Sequence, residues 1–342
     1  MLFKMKKFYL FAAAAALLSL VSCNKEQGPV SGIESGKPVE VIVSVNGGSS
    51  TKAIDVTYAD ESKVNSLQVL VFNGENLEAY KSVSGQMTAV VPAESGEKTV
   101  YAVVNAPNLS GVSSRADFLA RATSLADNAR DSFVMIGSTT QELVDGGNVP
   151  VTVKRIVSRV SIAKISTDFK EYRANYSVKI NGIYLINVAG DNNFELSAAP
   201  SAWLNKLGHV DTSMDALLYD QLTGVTVSNG NPYVKEHVFY PYPNALPESG
   251  TTPAYADTWD PRGTLLVIDA TLIEDDGITE HNGYYPIVLP AIERNKTYSI
   301  EEVCITRMPG DVPYKPIETG ETQVTISVHD WELGLNLGTV TI

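Results

Sequence analysis

Cysteine is scarce in this chain of 342 residues, which contains only Cys23 and Cys304. One pair of cysteines is too little for a disulfide framework, so buried apolar cores have to hold the fold together. Cys304 lies in a strand-like run, Tyr298–Thr306. We expect it to be a buried structural thiol rather than a nucleophile.

Positive charge is also in short supply. The chain has 26 lysines and arginines against 39 aspartates and glutamates, which gives a formal net charge of −13 and a pI of about 4.8. Binding to nucleic acid requires a basic surface, and binding to an anionic membrane surface requires clusters of lysine and arginine. The composition therefore argues against both, and an acidic surface mainly favours solubility.

Motifs for catalysis and metal binding are missing as well. The four histidines are scattered, with no pair at the spacing of a zinc site, and there is no Gly-x-Ser-x-Gly elbow or phosphate-binding loop. The acidic turn Glu274–Glu280 lacks the alternating ligands of a calcium loop, which favours a solvated turn. We therefore expect no enzymatic activity, no metal and no cofactor, although catalytic groups far apart in the sequence would escape this search.

No apolar run is long enough to span a bilayer comfortably. Phe8–Leu20 is apolar and short, and three lysines precede it, which is typical of a secretory signal at residues 1–22. The end of this segment, Leu20-Val21-Ser22-Cys23, resembles a bacterial lipobox. That resemblance implies that Cys23 is diacylated, becomes the new N-terminus and tethers the protein to a membrane outside the cytoplasm. An ordinary signal peptide followed by a chance cysteine is the alternative.

Strand signals dominate the remainder. Many short runs of alternating apolar residues, separated by turns, predict an all-β sandwich protein. One of the predicted strands is the long run Val149–Ile165. Helical spacing occurs over Arg115–Asn128 and, more weakly, over Leu204–Asp220. The proline-rich stretch 241–262 reads as a long surface loop.

The length that follows the signal is sufficient for two domains. The long apolar strand gives way to a charged segment near residues 166–172. This change places the predicted join between an N-terminal domain, 53–167, and a C-terminal domain, 168–342.

The two ends of the chain have matching patterns. Apolar residues at every second position predict a first strand within Pro38–Val45: Val39, Val41, Val43 and Val45. An exposed linker, Gly47–Lys52, follows directly. The chain ends in a second extended segment with two pairs of apolar residues, whose phase slips at Gly338-Thr339 and indicates a bulge: Leu335, Leu337, Val340 and Ile342.

These two segments could exchange between molecules. A protease cut in the linker would release the first strand, and the C-terminal segment of a neighbour could fill the vacated groove by strand addition. Such a contact is head-to-tail and need not close, so its repetition makes a fibre. Alternatively, both segments are ordinary strands of their own domains.

At this point the sequence resembles the FimA-like fimbrillins, the type V pilins of Gram-negative anaerobes. The signal with Cys23 fits this family. Further pieces, found in the family's order along the chain, carry the resemblance: Lys52-Ala53, Asp60–Val64, Leu67–Glu75, Lys154–Val160, Ile292–Tyr298 and Asp330–Glu332. The stretch 190–262 shows no such likeness.

The resemblance implies two transthyretin-like β-sandwich domains in tandem, with short helices. It implies export as a lipoprotein to the outer membrane, proteolytic removal of the segment 23–52, and donor-strand exchange in which residues 335–342 fill the groove of the next subunit. The implied partners are other copies of the chain, other pilus subunits and a processing protease, and the implied location is a cell-surface pilus with a role in adhesion.

One position departs from the family pattern. The processing site, an arginine in the best-known subunits, falls on Lys52, followed by Ala53, and the first arginine of the chain is Arg115. A trypsin-like or lysine-tolerant protease is therefore implied. If Lys52 is only a solvated linker residue and no cut occurs, the chain would stay lipid-anchored as an anchor subunit or a non-polymerising surface protein.

Two other classes of function remain open on the sequence alone. A monomeric glycan- or protein-binding lipoprotein would present aromatic side chains on an exposed face, and the candidates are Tyr240, Tyr242, Tyr255 and Trp259. Packing of these rings against the sandwich is the competing interpretation. A secreted hydrolase with residues dispersed along the chain is the other class.

Overall fold

The computed structural model describes residues 36–47, 61–208, 215–247, 259–315, 326–331 and 339–341. Strands account for most of the elements in these ranges, so the predicted all-β class is confirmed. All of them belong to one compact unit, Glu34–Ile342. None of the described helices has the length and apolar character needed to cross a bilayer.

A long succession of strands runs along the chain, with short helices among them. The N-terminal strands are β1 (Pro38–Gly47), β2 (Ser66–Asn73), β3 (Asn76–Ser84), β4 (Thr88–Glu94), β5 (Gly96–Val104), β6 (Ala122–Ser124), β7 (Met135–Leu143) and β8 (Asn148–Arg155). The C-terminal strands are β9 (Arg159–Thr167), β10 (Ser177–Ile186), β11 (Val188–Ala189), β12 (Asp191–Asn193), β13 (Trp203–Leu204), β14 (Tyr219–Ser228), β15 (Tyr233–Phe239), β16 (Leu265–Ile273), β17 (Glu280–Val288), β18 (Lys296–Ile300), β19 (Glu302–Ile305), β20 (Ser327–Asp330) and β21 (Thr339–Thr341). The described helices are α1 (Arg115–Ala120), α2 (Asp215–Leu218) and three 3-10 turns, Leu125–Asp127, Glu171–Arg173 and Lys206–Gly208.

Seven of the N-terminal strands form a sheet in the order β3-β2-β5-β7-β8-β1-β4, while β6 pairs with β12. Neighbouring strands in this sheet are antiparallel, except that β1 and β8 run parallel to each other. Alternate side chains of each strand point to the same face. They enclose a core built largely of valine: Val39, Val41, Val43, Val45, Val69, Val71, Val91, Val100, Val104, Val149, Val151 and Val153. Strands from both ends of the sheet order contribute to this one core.

Two further sheets pack around a second core. One has the order β14-β10-β16-β17, and the other has the order β20-β18-β9-β19-β21 with β15 also paired to β9. Both contribute to one buried cluster, for example through Ile162, Ile180, Ile268 and Tyr298. Facing sheets around a shared core are the architecture of a β-sandwich. The tandem transthyretin-like arrangement stays a prediction.

The prediction of one strand over Val149–Ile165 is wrong. β8 ends at Arg155 and β9 begins at Arg159, and β9 pairs with strands of the C-terminal part. Between them, Ser158 donates its N–H to the Pro241 carbonyl at 2.8 Å and its hydroxyl to the Glu293 carbonyl. The apolar run continues through this break because residues on both sides of it are buried. The chain therefore passes from the N-terminal sheet to a C-terminal sheet at residues 156–158, ahead of the predicted domain join at 167/168.

The prediction of a helix over Arg115–Asn128 is correct only for its first part. Ser114 caps α1 by accepting the Asp117 N–H, and the helix stops at Ala120. β6 and a 3-10 turn follow, and Ser124 and Asp127 form a capping box at that turn. A new cap inside the periodic stretch therefore starts a separate element. In the weaker candidate over Leu204–Asp220, the described helical elements are the 3-10 turn Lys206–Gly208 and α2, whereas Leu204 belongs to β13 and Tyr219 and Asp220 belong to β14.

Candidate functional site

The first strand, β1, carries an uninterrupted row of inward valines, which confirms the predicted alternation. Val39, Val41, Val43 and Val45 are at most 8% exposed, whereas Ile42 between them is 43% exposed. Complete burial of a valine side chain contributes roughly 1.5–3 kcal/mol. Removal of β1 would therefore open a row of apolar holes along one wall of the valine core.

The backbone of β1 is hydrogen-bonded along both edges. It pairs antiparallel with β4 from Pro38↔Glu94 to Ser44↔Thr88, and parallel with β8 from Ile42↔Asn148 to Gly47↔Val153. Before β8 begins, the preceding loop takes over the second edge. There, Gly146 donates its N–H to the Glu40 carbonyl, and Ile42 donates its N–H to the Gly147 carbonyl, both at 2.9 Å. From Glu40 to Val45, β1 is thus an interior strand with bonded neighbours on both edges.

Ser95 secures the start of β1. Its hydroxyl accepts the Lys37 N–H at 2.9 Å, its own N–H donates to the Lys37 carbonyl at 2.8 Å, and its carbonyl accepts the Gly36 N–H at 3.0 Å. Because Ser95 directly follows β4, these bonds set the register between the two strands.

Glu78, on the opposite end strand β3, reaches across to β4. Its Oε1 accepts the backbone N–H of Glu94 at 2.7 Å, and its Oε2 lies 2.5 Å from Nζ of Lys98 in β5. The Lys98 side chain is only 3% exposed. Sequence reasoning missed this contact, although one signal was present: Lys98 occupies an inward position in the alternation of Lys98, Val100, Ala102 and Val104.

Most of the residues predicted for processing and strand donation lie outside the described residues. These are Cys23, Lys52, Ala53, Leu335, Leu337 and Ile342. The lipidation, the cut and the donor role therefore stay predictions.

Val340 lies in a described strand of the chain's own fold. β21 pairs parallel with β19 over three residues, Glu302↔Thr339 to Cys304↔Thr341, at one edge of its sheet. In the single molecule, β21 is therefore an ordinary edge strand, as the alternative interpretation of the C-terminal segment expects. Three residue pairs form a small contact, and an edge strand has one side free of ladder bonds.

A polar cluster joins the described residue that follows the linker to the described residue that precedes the C-terminal segment. Glu61 is the first described residue after the linker, and Trp331 is the last one before residues 332–338. The Glu61 carboxylate accepts the Trp331 indole N–H at 3.0 Å and the Tyr240 hydroxyl at 2.6 Å, and it lies 3.3 Å from the Arg159 guanidinium. The Arg155 guanidinium stacks over the Trp331 ring at 4.5 Å. Glu61, where the described chain resumes after the linker, and Trp331, where it stops before residues 332–338, are therefore neighbours in the fold.

The aromatic candidates for ligand binding are largely internal. Tyr240 and Tyr242 are at most 1% exposed, so the prediction of a surface loop over 241–262 is wrong at Tyr242. Burial raises the pKa of both hydroxyls, and Tyr242 contacts Thr123 at 3.0 Å. Trp259 is half-buried beside Trp203, and Tyr255 lies outside the described residues. Packing against the sandwich is thus the observed state of the first two rings.

Several of the described ionisable groups form structural pairs, such as Lys296 with Asp330 and His281 with Glu274. No group of three or more metal-binding side chains occurs within the described ranges. In the acidic turn, Asp276 accepts the Thr279 hydroxyl and the N–H groups of Ile278 and Thr279, and the Thr279 hydroxyl contributes most to lowering the Asp276 pKa. These bonds fit the predicted solvated turn. Cys304 is half-buried, and burial raises the pKa of its thiol, which disfavours the thiolate.

Comparison with known proteins points to one family. Residues 38–168 match the model of the family described as major fimbrial subunit protein (FimA). A proposed fimbrium tip subunit of Parabacteroides distasonis, Fim1C, is 28% identical over 270 residues, which span 67% of this chain and 71% of that protein. A major fimbrium subunit FimA type-2 of Porphyromonas gingivalis is 25% identical and covers 96% of this chain and 98% of its own length.

The fold agrees with this likeness. The crystal structure of a fimbrilin (FimA) from Porphyromonas gingivalis superposes with a TM-score of 0.58, at 17% identity, over 90% of this chain and 97% of that one. The comparisons thus confirm the resemblance to the FimA-like fimbrillins. The family model matches residues 38–168, and the curated major fimbrium subunits match most of the chain.

Proposed function

We propose that this chain is a structural subunit of a cell-surface fimbria that polymerises by donor-strand exchange. The observation that carries the proposal is β1. It is an interior strand with four buried valines, and its covalent link to the rest of the fold runs through residues 48–60. The major fimbrium subunits among its relatives support the same role. They also favour a structural protein over an enzyme.

Processing is proposed to occur between Lys52 and Ala53. A cut there leaves β1 attached to the body by non-covalent contacts only, while the other end of β1 leads to the lipid-bearing Cys23. The lipid anchor would hold the precursor at the outer membrane, and the cut would release the subunit from it. A lysine at this site calls for a trypsin-like protease or another protease that accepts lysine.

The donor is proposed to be the segment Leu335–Ile342 of another subunit. To reproduce the hydrogen bonds of β1, it must run antiparallel to β4 and parallel to β8. Leu335 and Leu337 have the two-residue spacing of Val39 and Val41. Val340 and Ile342 are one residue out of phase, so a bulge at Gly338-Thr339 has to return them to the inward face.

In such a fibre, the first partners of each subunit are other copies of the same chain. Each subunit would give its C-terminal segment to one neighbour and receive a segment from the other, and other pilus subunits could join by the same contact. Adhesion would then follow from exposure of the assembled fibre at the cell surface.

The test uses purified residues 24–342 treated with trace trypsin, followed by N-terminal sequencing and an unboiled gel. We expect a new N-terminus at Ala53 and a ladder of high-mass species. Lys52→Gln is the matched control, because it keeps the linker length, removes the cut at position 52 and should leave the protein monomeric. A protein that is cleaved cleanly after Lys52 yet stays monomeric would overturn the polymerisation model and favour the glycan- or protein-binding lipoprotein. Failure to cut wild type would favour the anchor subunit.

A further inference from the structure

The end strand β4 depends on β1 for its place in the sheet. In the order β3-β2-β5-β7-β8-β1-β4, β4 is the last strand, and β1 is its ladder partner among the described strands. If β1 leaves, β4 loses this ladder at the moment when it has to serve as one wall of an empty groove.

One polar contact of β4 does not involve β1. The N–H of Ser95 and the carbonyl of Met87 both bond to β1 or the residue before it, so the odd-numbered residues along β4 direct their backbone groups toward that strand. In an antiparallel strand the residues between them direct theirs the other way. The Glu94 N–H accordingly points away from β1, and it donates to Glu78 of β3 at 2.7 Å.

A β-bulge aims the Glu78 side chain. In the pairing of β2 with β3, Val71 is opposite Ala79 and Phe72 is opposite Leu77, which leaves Glu78 as the extra residue. Bulges re-aim side chains. Here the carboxylate also pairs with Lys98 at 2.5 Å, and a lysine that is only 3% exposed requires such a partner.

We propose that Glu78, held by Lys98, is a clamp that keeps β4 in position as a wall of the groove after β1 has left. The clamp joins the two end strands of the sheet, β3 and β4, through a side chain where they share no ladder. Glu78 thus acts as a positioning residue for strand exchange, Lys98 balances the charge of its carboxylate, and the inference rests on the proposed function.

The test measures how fast an added strand replaces β1 in its groove. A specific protease site is placed at residues 48–51 of the 24–342 protein. After cleavage, uptake of two labelled peptides is followed by fluorescence anisotropy: residues 36–47, the chain's own strand, and residues 332–342, the donor. Intact, uncleaved samples of each variant are checked by thermal unfolding.

Glu94→Pro removes the clamped N–H and leaves the bonds to β1 intact, because proline is tolerated on an edge whose N–H faces away from the ladder. Glu94→Ala is its matched control, since it keeps the N–H. We expect Glu94→Pro to slow uptake of both peptides at least tenfold, while Glu94→Ala stays within about threefold of wild type.

A second pair of variants tests the clamp at Glu78, the acceptor of the Glu94 N–H. Glu78→Gln with Lys98→Met keeps an acceptor oxygen for Glu94 and removes both charges, whereas Glu78→Met with Lys98→Met removes the acceptor as well. Apolar replacement of a buried ion pair is often neutral for folding. We expect only the second double variant to lose uptake at least tenfold.

The possible failures are distinguishable. Uptake within threefold of wild type in both Glu94→Pro and the Met/Met variant would overturn the clamp and leave donor-strand exchange standing. Uptake of the 36–47 peptide but not of the 332–342 peptide by wild type would overturn the donor role. Uptake of the 36–47 peptide by the variants would then still test the clamp.

Discussion

Val43 and Ile42 are neighbours in sequence with opposite environments, because successive side chains of a strand point to opposite faces. Val43 is fully buried in the valine core, and Ile42 is 43% exposed. We expect Val43→Ala to lower the free energy of unfolding of the intact protein by about 2 kcal/mol, from two buried methyl groups and a cavity. Ile42→Thr should change it by less than about 0.5 kcal/mol. Urea titrations of residues 24–342 measure both, and equal losses would contradict the assigned register of β1.

The reactivity of the Cys304 thiol should depend on pH differently in the native and the unfolded protein. Burial raises the pKa of its thiol, so at a given pH the native protein holds less thiolate than the unfolded chain does. With Cys23 absent, Cys304 is the sole cysteine. Alkylation by iodoacetamide at pH 8 should therefore be slower in the native protein than in urea, and the native rate should continue to rise at pH values where the unfolded rate has levelled off. Equal rates at pH 8 would show a thiol that is solvated like that of the unfolded chain.

β1 and β21 differ in how firmly they are held. β1 has a ladder on each edge and four buried valines, whereas β21 has three residue pairs with one neighbour. We expect deletion of residues 332–342 to leave a folded monomer whose thermal midpoint falls by only a few degrees, since about 1 kcal/mol corresponds to roughly 2–4 °C in a protein of this size.

The same deletion should abolish the high-mass ladder after cleavage. The matched control is the double substitution Leu335→Ala and Leu337→Ala, which keeps the chain length and should weaken assembly without loss of the fold. A truncated protein that still polymerises would show that the donor is another segment.

Sequence patterns predicted those elements whose environment is set locally. β1 was predictable because its two faces differ and a linker follows it. The break between β8 and β9 was not, because Ser158 binds Pro241 and Glu293, far away in the sequence. The Glu78 clamp depends on a bulge in one strand pair and on two further strands, so periodicity along one strand cannot reveal it. Glu61 and Trp331 are 270 residues apart, beyond the reach of any local pattern.

For the whole molecule, charge should control how fast subunits meet. Removal of the signal takes away three lysines, so the formal net charge falls from −13 to −16. Like charges repel over a screening length that shrinks from about 30 Å at 0.01 M salt to about 10 Å at 0.1 M. We expect assembly of cleaved subunits, followed by light scattering, to speed up several-fold between 10 and 150 mM NaCl.

If the fibres form by the proposed strand exchange, their dissociation should change little over the same range, because buried apolar side chains and backbone bonds would hold the subunits together. Uptake of the 332–342 peptide with Glu332→Gln is the control, since it carries little charge and should respond weakly to salt. An assembly rate that is independent of salt would place the slow step after encounter, in the exchange of strands.

The double ladder of β1 also has a mechanical meaning. A strand bonded along both edges and pulled along its axis is loaded in shear, so its hydrogen bonds share the force and have to break nearly together. A strand peeled from one end gives way pair by pair at a much lower force. Subunits joined through the position of β1 would therefore make a filament that resists tension along its length, and its lifetime under load would be set by the rate of that concerted rupture rather than by the equilibrium strength of the contact.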